Sequence, residues 1–391
     1  MSQPEGFVSS THLAYVCKLQ KALYGLRQAP RAWFDKLKQA LLHKGFKNSQ
    51  ADTSLFMYNF GTTCAMILVY VDDIIITGNN AIFVNQLIGD LNQQFSLKDL
   101  GDLHFFLGIE VHRSEGVMHL TQSKYIRDLL QKSKMDGAKE VSSPMLTGRH
   151  LSLYDGDMFD NPELYRSTVG ALQYLTITRP EISFSVNKLS QFLHAPTTDH
   201  WETCKRLLRY LKGTIQYGLQ LQASNQLVLH AFVDSDWASN PDDRKSTSGY
   251  CIFLGASLIS WSSKKQHVVA RSSTEAEYRA LAHVTVELCW LRNLSQELQF
   301  LFDKPIIWSD NIGAALLASN PVHHARVKHI EIDLHFVRDK VLDKELEIRY
   351  VPSKEQIADI FTKSLGTSRF LFLRNKLRVS EVPVVMKSAL L

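Results

Sequence analysis

Four carboxylates constrain this chain more than any other feature, because each falls where a packed fold places an apolar side chain or the end of a strand. Asp234 closes the apolar run Ala231-Phe232-Val233, and Asp310 follows Ile306-Ile307-Trp308 and opens the next expected helix. Acids in those places sit at the carboxyl edge of a sheet, where α/β sites form. Glu277 lies on an expected helix whose Leu281, Val284, Leu288 and Leu291 follow at +4, +7, +11 and +14. That spacing marks the buried stripe, and an acid on it is costly unless it is paired or metal-bound. Asp359 precedes Ile360-Phe361 near the start of the last expected helix. Helix capping is a sufficient reading for Asp310 or Asp359 taken singly. Four acids from four separate elements are different. If they converge they repel, and a shared divalent cation is the natural remedy. Oxygen-only ligands select Mg²⁺ or Mn²⁺ over zinc. Two such ions about 3.5–4 Å apart can activate a water and stabilise a leaving oxygen in phosphodiester cleavage.

The rest of the chain excludes several classes. With 391 residues, 45% of them hydrophobic, it can build two to three domains with sizeable cores. Its 19 Gly and 11 Pro are too few for a disordered or collagen-like chain. Five scattered cysteines form no C-x-x-C pair, which argues against a disulfide framework and for a reducing compartment. The start MSQPEGFVSS has no apolar core, so it does not read as a signal peptide. The longest apolar run, Ala65 to Thr77, carries Asp72-Asp73 at its centre, which a membrane span would not tolerate. The expectation is an intracellular protein of cytoplasm or nucleus, not secreted and not membrane-bound. A net charge of +5 permits a polyanionic partner without demanding one.

Three segments are legible. The first has a helix over 31–44, strands on both sides of a tight turn at Asp72-Asp73, a helix over 81–95, the strand HFFLGIEV and a helix near 123–134. A Gly-, Ser- and Asp-rich connector, 135–162, leads to three expected helices over 162–176, 180–193 and 197–212. The last of these carries Lys205, Arg209 and Lys212 on one face. Such a stripe could track a phosphate backbone or could be an ordinary solvated face. From Val228 the order is three strands, helix, strand, two helices, strand, helix, with the final helix expected over 355–364. This pattern predicts a mixed sheet with helices on both faces.

The runs DSDWASNP, DDRKSTSGYCIFLGASLISWSSKKQ, SSTEAEYRAL, WSDNIGAA and SKEQIADIFTK resemble the RNase H domain of copia-type retrotransposon polyproteins. The resemblance implies that Asp234, Glu277, Asp310 and Asp359 hold two Mg²⁺ or Mn²⁺ ions and cut an RNA–DNA hybrid. The loop with Arg244 and Lys245 suits phosphate contacts, although a solvated turn has the same composition. Some RNase H enzymes carry a mobile His near the last acid; VPSKEQIAD has Ser353 and Lys354 there instead. His323, His324, His329 and His335 match no common zinc spacing, and packing or hydrogen bonding is the simpler role. His329 matches a KHI-like motif of the family.

YVDD between apolar runs, with CKLQKALYGLRQAPRAWFDKL before it and LGDLHFFLGIEVHRSEGVMHLTQSKYIRDLL after it, resembles the copia-type reverse transcriptase. The stretch YRSTVGALQYLTITRPEISFSVNKLSQFLHAPTTDHWETCKRLLRYLKGTIQYGL resembles that family's link between polymerase and RNase H. The likeness implies α/β and α+β folds. A partial reverse-transcriptase palm and thumb spans 1–135, linker and helical connection 136–227, an RNase H-like five-stranded mixed sheet 228–366, and a tail 367–391. It also implies polymerase metal ligands at Asp72 and Asp73, and Tyr24, Gly25 and Gln28 at a former nucleotide pocket. In the family another catalytic Asp and the fingers lie upstream of the segment matching Ser2–Phe7. The expectation is therefore a chain from a shortened element, with little or no polymerase activity alone. Alternatives are a non-catalytic nucleic-acid-binding remnant, or a polymerase completed by another copy.

Overall fold

The computed structural model describes residues 2–19, 25–95, 97–225, 227–319 and 331–383. The chain divides into two compact units, one up to Gly101 and one from Asp102. In the first unit, α1 (Ala29–His43) precedes the strands β1 (Lys47–Asn48), β2 (Leu55–Phe60), β3 (Thr63–Tyr70) and β4 (Asp73–Gly78), and α2 (Ala81–Phe95) follows them. The strands form an antiparallel sheet in chain order. Along β3, Ala65, Ile67 and Val69 alternate into a core with Leu37 and Leu41 of α1 and Leu87 and Leu91 of α2.

The second unit starts with β5 (Phe105–Phe106), β6 (Ile109–Ser114), β7 (Val117–Thr121) and α3 (Ser123–Lys132). The helices α4 (Pro162–Leu175), α5 (Ser183–Ser190) and α6 (Thr198–Lys212) come next. The strands β8 (Tyr217–Gln222), β9 (Val228–Asp236), β10 (Thr247–Leu254) and β11 (Ser257–Lys265) lead into α7 (Ser273–Glu297). Then come β12 (Asp303–Ser309), α8 (Ile312–Ser319), α9 (Glu331–Leu342), β13 (Glu347–Tyr350), α10 (Thr367–Lys376) and β14 (Val379–Glu381). The site-bearing sheet has the order β11-β10-β9-β12-β13. Its first three strands are antiparallel, and β12 runs parallel to both β9 and β13.

This sheet is covered on both faces, as the alternation of elements predicts. Leu229, Ala231 and Val233 of β9 and Ile252 of β10 pack with Leu281, Val284 and Leu288 of α7. Cys251 and Phe253, one residue out of phase on β10, join the other core with Leu189 of α5, Phe370 of α10 and Phe361, which precedes that helix. The helical connection is tied by a fully buried ion pair, Arg179–Glu181 at 2.7 Å; Arg179 also donates to Thr214, and the Tyr210 hydroxyl donates to Glu181 Oε1.

Three expectations need correction. Residues 102–135 do not close a first domain: β7 pairs with β8, so this stretch belongs to the second unit. Residues 367–383 are not a bare tail, because α10 packs in the core and β14 adds to β8 in the sheet β14-β8-β7-β6-β5. The helix expected over 355–364 is two 3₁₀ turns, Ser353–Glu355 and Ile357–Phe361. The buried side chain of Gln356 explains the break. It donates to the Val233 carbonyl at 2.9 Å and accepts from the Ala358 N–H at 3.1 Å, and the Gln356 backbone is extended there.

Candidate metal centre

Sheet register brings the first two acids together. Val233 of β9 lies opposite Ser309 of the parallel β12, so the residues that follow them, Asp234 and Asp310, are neighbours at one sheet edge. Ser272 caps α7 by accepting the Glu275 N–H at 3.1 Å, and the helix then carries Glu277 to the same edge. A carboxylate oxygen from each of Asp234, Glu277 and Asp310 lies within 4.8 Å of the others.

Each acid is held by a different neighbour. Asp234 accepts the Thr362 hydroxyl, Glu277 Oε1 accepts the Ser235 N–H at 3.2 Å, and Asp310 Oδ2 accepts the Ser353 hydroxyl at 2.8 Å. Gln266 braces the pair of elements beneath. Its amide donates to Ser235 Oγ at 3.3 Å on β9 and to the Ala276 carbonyl at 2.9 Å on α7. Glu277 Oε2 is buried and has no hydrogen-bond partner. Burial first, then the charges of Asp234 and Asp310, push the Glu277 carboxyl up to about 9. Burial also raises Asp234, against the pull of Lys363.

These observations fit a hard divalent cation. The donors are all carboxylate oxygens, one is a buried atom with no partner, and their mutual repulsion would be relieved by positive charge. Asp359 stands apart from the trio. It sits on the second 3₁₀ turn, ion-paired to Lys363 at 2.8 Å and to Arg369 at 3.1 Å. Lys363 in turn reaches Asp234 at 3.3 Å. Gly249, opposite Asp234 on β10, permits this turn to approach: a Cβ there would meet Phe361 at 2.6 Å and Thr362 at 2.7 Å.

The family described as reverse transcriptase (RNA-dependent DNA polymerase) matches residues 1–147. The chain is 49% identical over 384 residues to the retrovirus-related Pol polyprotein from transposon RE1 of Arabidopsis thaliana, covering 98% of this chain and 26% of that protein. It is 32% identical over 291 residues to a putative transposon Ty5-1 protein of Saccharomyces cerevisiae, covering 74% of this chain and 94% of that protein. The chain belongs to the copia-type retrotransposon Pol family. It spans about a quarter of the length of the RE1 polyprotein. A crystal structure of LC11-RNase H1 in complex with an RNA/DNA hybrid is similar over 34% of this chain and 93% of that one, at 13% identity and a TM-score of 0.28.

The remaining expected site residues of this Pol chain lie elsewhere. Asp72 and Asp73 are exposed at the tip of the β3–β4 hairpin, where Tyr70 pairs with Asp73 and Val71 has a φ of 49°. Gly25, at a φ of 91°, and Gln28, just before α1, are also exposed. Tyr24, His323, His324 and His329 lie outside the described residues, and His335 is exposed on α9. Arg244 is exposed, and Lys245 lies 3.6 Å from Asp243.

In the basic stripe of α6, two of the three cations bond to the connector and the third pairs within the helix. Arg209 donates to the Lys139 carbonyl, Lys212 donates to the Ala138 carbonyl at 2.7 Å, and Lys205 pairs with Glu202. Arg209 and Lys212 strap the connector to the helix, and Lys205 stays with its helix neighbour. Sequence reasoning missed Gln266, Thr362, Lys363 and Arg369. A signal existed only for Lys363, four residues after an expected acidic ligand. Among the described residues, no helix is long and apolar enough to cross a membrane.

Proposed function

We propose that the second unit is a divalent-metal-dependent ribonuclease that cuts the RNA strand of an RNA–DNA hybrid. The observation that carries this reading is the convergence of Asp234, Glu277 and Asp310 within 4.8 Å, one of them with a buried, unpartnered oxygen. Bound Mg²⁺ or Mn²⁺, as the pair of ions the family implies, supplies activation of water and charge stabilisation at the phosphate. The chain's own residues do the rest. Ser235, Ser353 and Thr362 fix the three carboxylates before any ion arrives, so little reorganisation is left for the reaction. Glu277, raised to about 9, holds a proton at neutral pH that cation binding displaces. Exposed Arg244, at the end of the loop leading into β10, suits contact with the substrate backbone, and Lys245 beside it is a second candidate for that contact.

Polymerisation by this chain alone is not part of the proposal. Asp72 and Asp73 are exposed on a hairpin tip, and the grouped carboxylates found among the described residues are the trio. The test is to incubate the purified chain with a labelled RNA–DNA hybrid and Mg²⁺, beside Asp310→Asn. Cleavage that is lost in the variant supports the ribonuclease. Binding without cleavage in both overturns it in favour of a nucleic-acid-binding protein. Primer extension on the same sample is expected to fail, and robust synthesis would refute that expectation.

A further inference from the structure

Lys363 is the one cation in contact with both Asp234 and Asp359 among the ion pairs of the described residues. Its ammonium lies 2.8 Å from Asp359 Oδ1 and 3.3 Å from Asp234 Oδ2. Thr362, the preceding residue, donates to the same Asp234 oxygen. The dipeptide thus spans the gap between an acid of the trio and the fourth acid, which stands apart from it.

The surroundings make Lys363 the movable member of this group. Asp359 is pinned from its other side: Arg369 contacts its Oδ2 at 3.1 Å and also donates to the backbone carbonyls of Ser353 and Gln356, each at 3.1 Å. The side chains of Asp234 and Asp359 are 3% and 11% exposed, whereas that of Lys363 is 44% exposed. A lysine whose side chain is 44% exposed can carry its head into water, provided an entering cation replaces its contacts with the two acids. The two acids cannot leave.

We infer that Lys363 is a resident counter-cation that holds the place of a second divalent ion between Asp234 and Asp359. The first ion then binds at Asp234, Glu277 and Asp310, and a second binds only as Lys363 swings out. This rests on the reading of the trio as a metal site. An ammonium and a divalent ion within a few ångströms of the same two carboxylates repel each other, so occupancy is exclusive. The ammonium neutralises the acids but has no coordination position for a water. It keeps the site folded while leaving it short of its second ion. Entry of that ion, for instance together with the phosphate of a bound substrate, becomes the step that completes the centre.

The test is a Mn²⁺ titration of the full chain, with free ion read by electron paramagnetic resonance, for wild type, Lys363→Ala, Lys363→Met and Lys363→Arg. Wild type and Lys363→Arg are expected to bind one ion, with a second at least about tenfold weaker. Lys363→Ala and Lys363→Met are expected to bind the second ion at least about tenfold more tightly than wild type, a difference of about 1.4 kcal/mol. Met keeps the stem and most of the packing, which guards against a folding defect in Ala. The Mg²⁺-induced rise in melting temperature is expected to be larger in both neutral variants than in wild type. Equal second-site affinity in wild type and the neutral variants overturns the role of Lys363 and leaves the trio standing. No ion bound by wild type overturns the trio as a metal site, and the inference with it.

Discussion

The chain carries two acidic centres on strand ends, and the structure treats them in opposite ways. Asp72 and Asp73 sit exposed on a hairpin tip and, among the described residues, join no group of three or more possible metal ligands. Asp234, Glu277 and Asp310 come from two strand ends and a helix start, and the first two are buried. A hairpin is local. Its turn strains one residue, Val71, into a left-handed conformation that β-branched side chains rarely adopt, but it leaves the carboxylates hydrated. The sheet edge is non-local. Parallel register and helix packing force like charges together at a cost that only protons, Lys363 or a metal ion can relieve. One region stores backbone strain and the other stores charge, and only stored charge creates an appetite for cations.

That contrast can be broken by mutation, and the largest effect is expected in catalysis. Glu277→Gln should lower Mg²⁺-dependent hybrid cleavage by at least about a hundredfold, near 3 kcal/mol in the barrier. The double change Asp72→Asn with Asp73→Asn should leave cleavage within about twofold in the same assay. A comparable loss in both variants would erase the distinction.

Next is packing under the site. Gly249→Val places a side chain where Phe361 and Thr362 already sit, so chemical denaturation should show a loss of about 1–3 kcal/mol. Unchanged stability would mean that the turn bearing Asp359 does not press on β10.

The stored charge has a pH signature. The Glu277 carboxyl is raised from 4.5 to about 9 in the folded protein, so the folded state holds a proton that the unfolded chain releases. Its contribution to stability is therefore fully present below pH about 4.5 and is lost as pH rises through about 9. Asp234 is shifted in the same direction. In EDTA, the melting temperature of the second unit should fall from pH 5 to pH 9. Glu277→Gln should flatten that slope, and Mg²⁺ should restore the alkaline end. A slope of the opposite sign would remove the charge account.

The smallest effect belongs to the hairpin. Val71→Asn should stabilise the first unit by about 1 kcal/mol, because Asn tolerates the left-handed region. Hydrogen exchange of the flanking β3 and β4 amides is the readout, and faster exchange in the variant would contradict strain at that position.

Much of this was legible in the sequence, and the reason lies in periodicity. The stripe from Leu281 to Leu291 placed Glu277 on a core face, and strand ends placed Asp234 and Asp310 at an edge. What was hidden depends on distant partners. Gln356 breaks an expected helix because its amide finds the Val233 carbonyl, far away along the chain. Arg209 and Lys212 looked like a surface stripe because backbone carbonyls, their actual acceptors, leave no trace in composition. The strand β14 is three residues long, too short for alternation to show, and exists because β8 offers it an edge. Asp359 read as the fourth ligand, and the positions of Lys363 and Arg369 beside it followed only from the fold.

The most direct test maps where cations bind without relying on activity. Fe²⁺ replaces Mg²⁺ in carboxylate sites, and peroxide with ascorbate then cuts the backbone beside the bound iron. The account predicts cuts near Asp234, Glu277 and Asp310, suppressed by excess Mg²⁺, with none near Asp72-Asp73. Cuts confined to the hairpin, or none near the three sheet-edge acids, would contradict it.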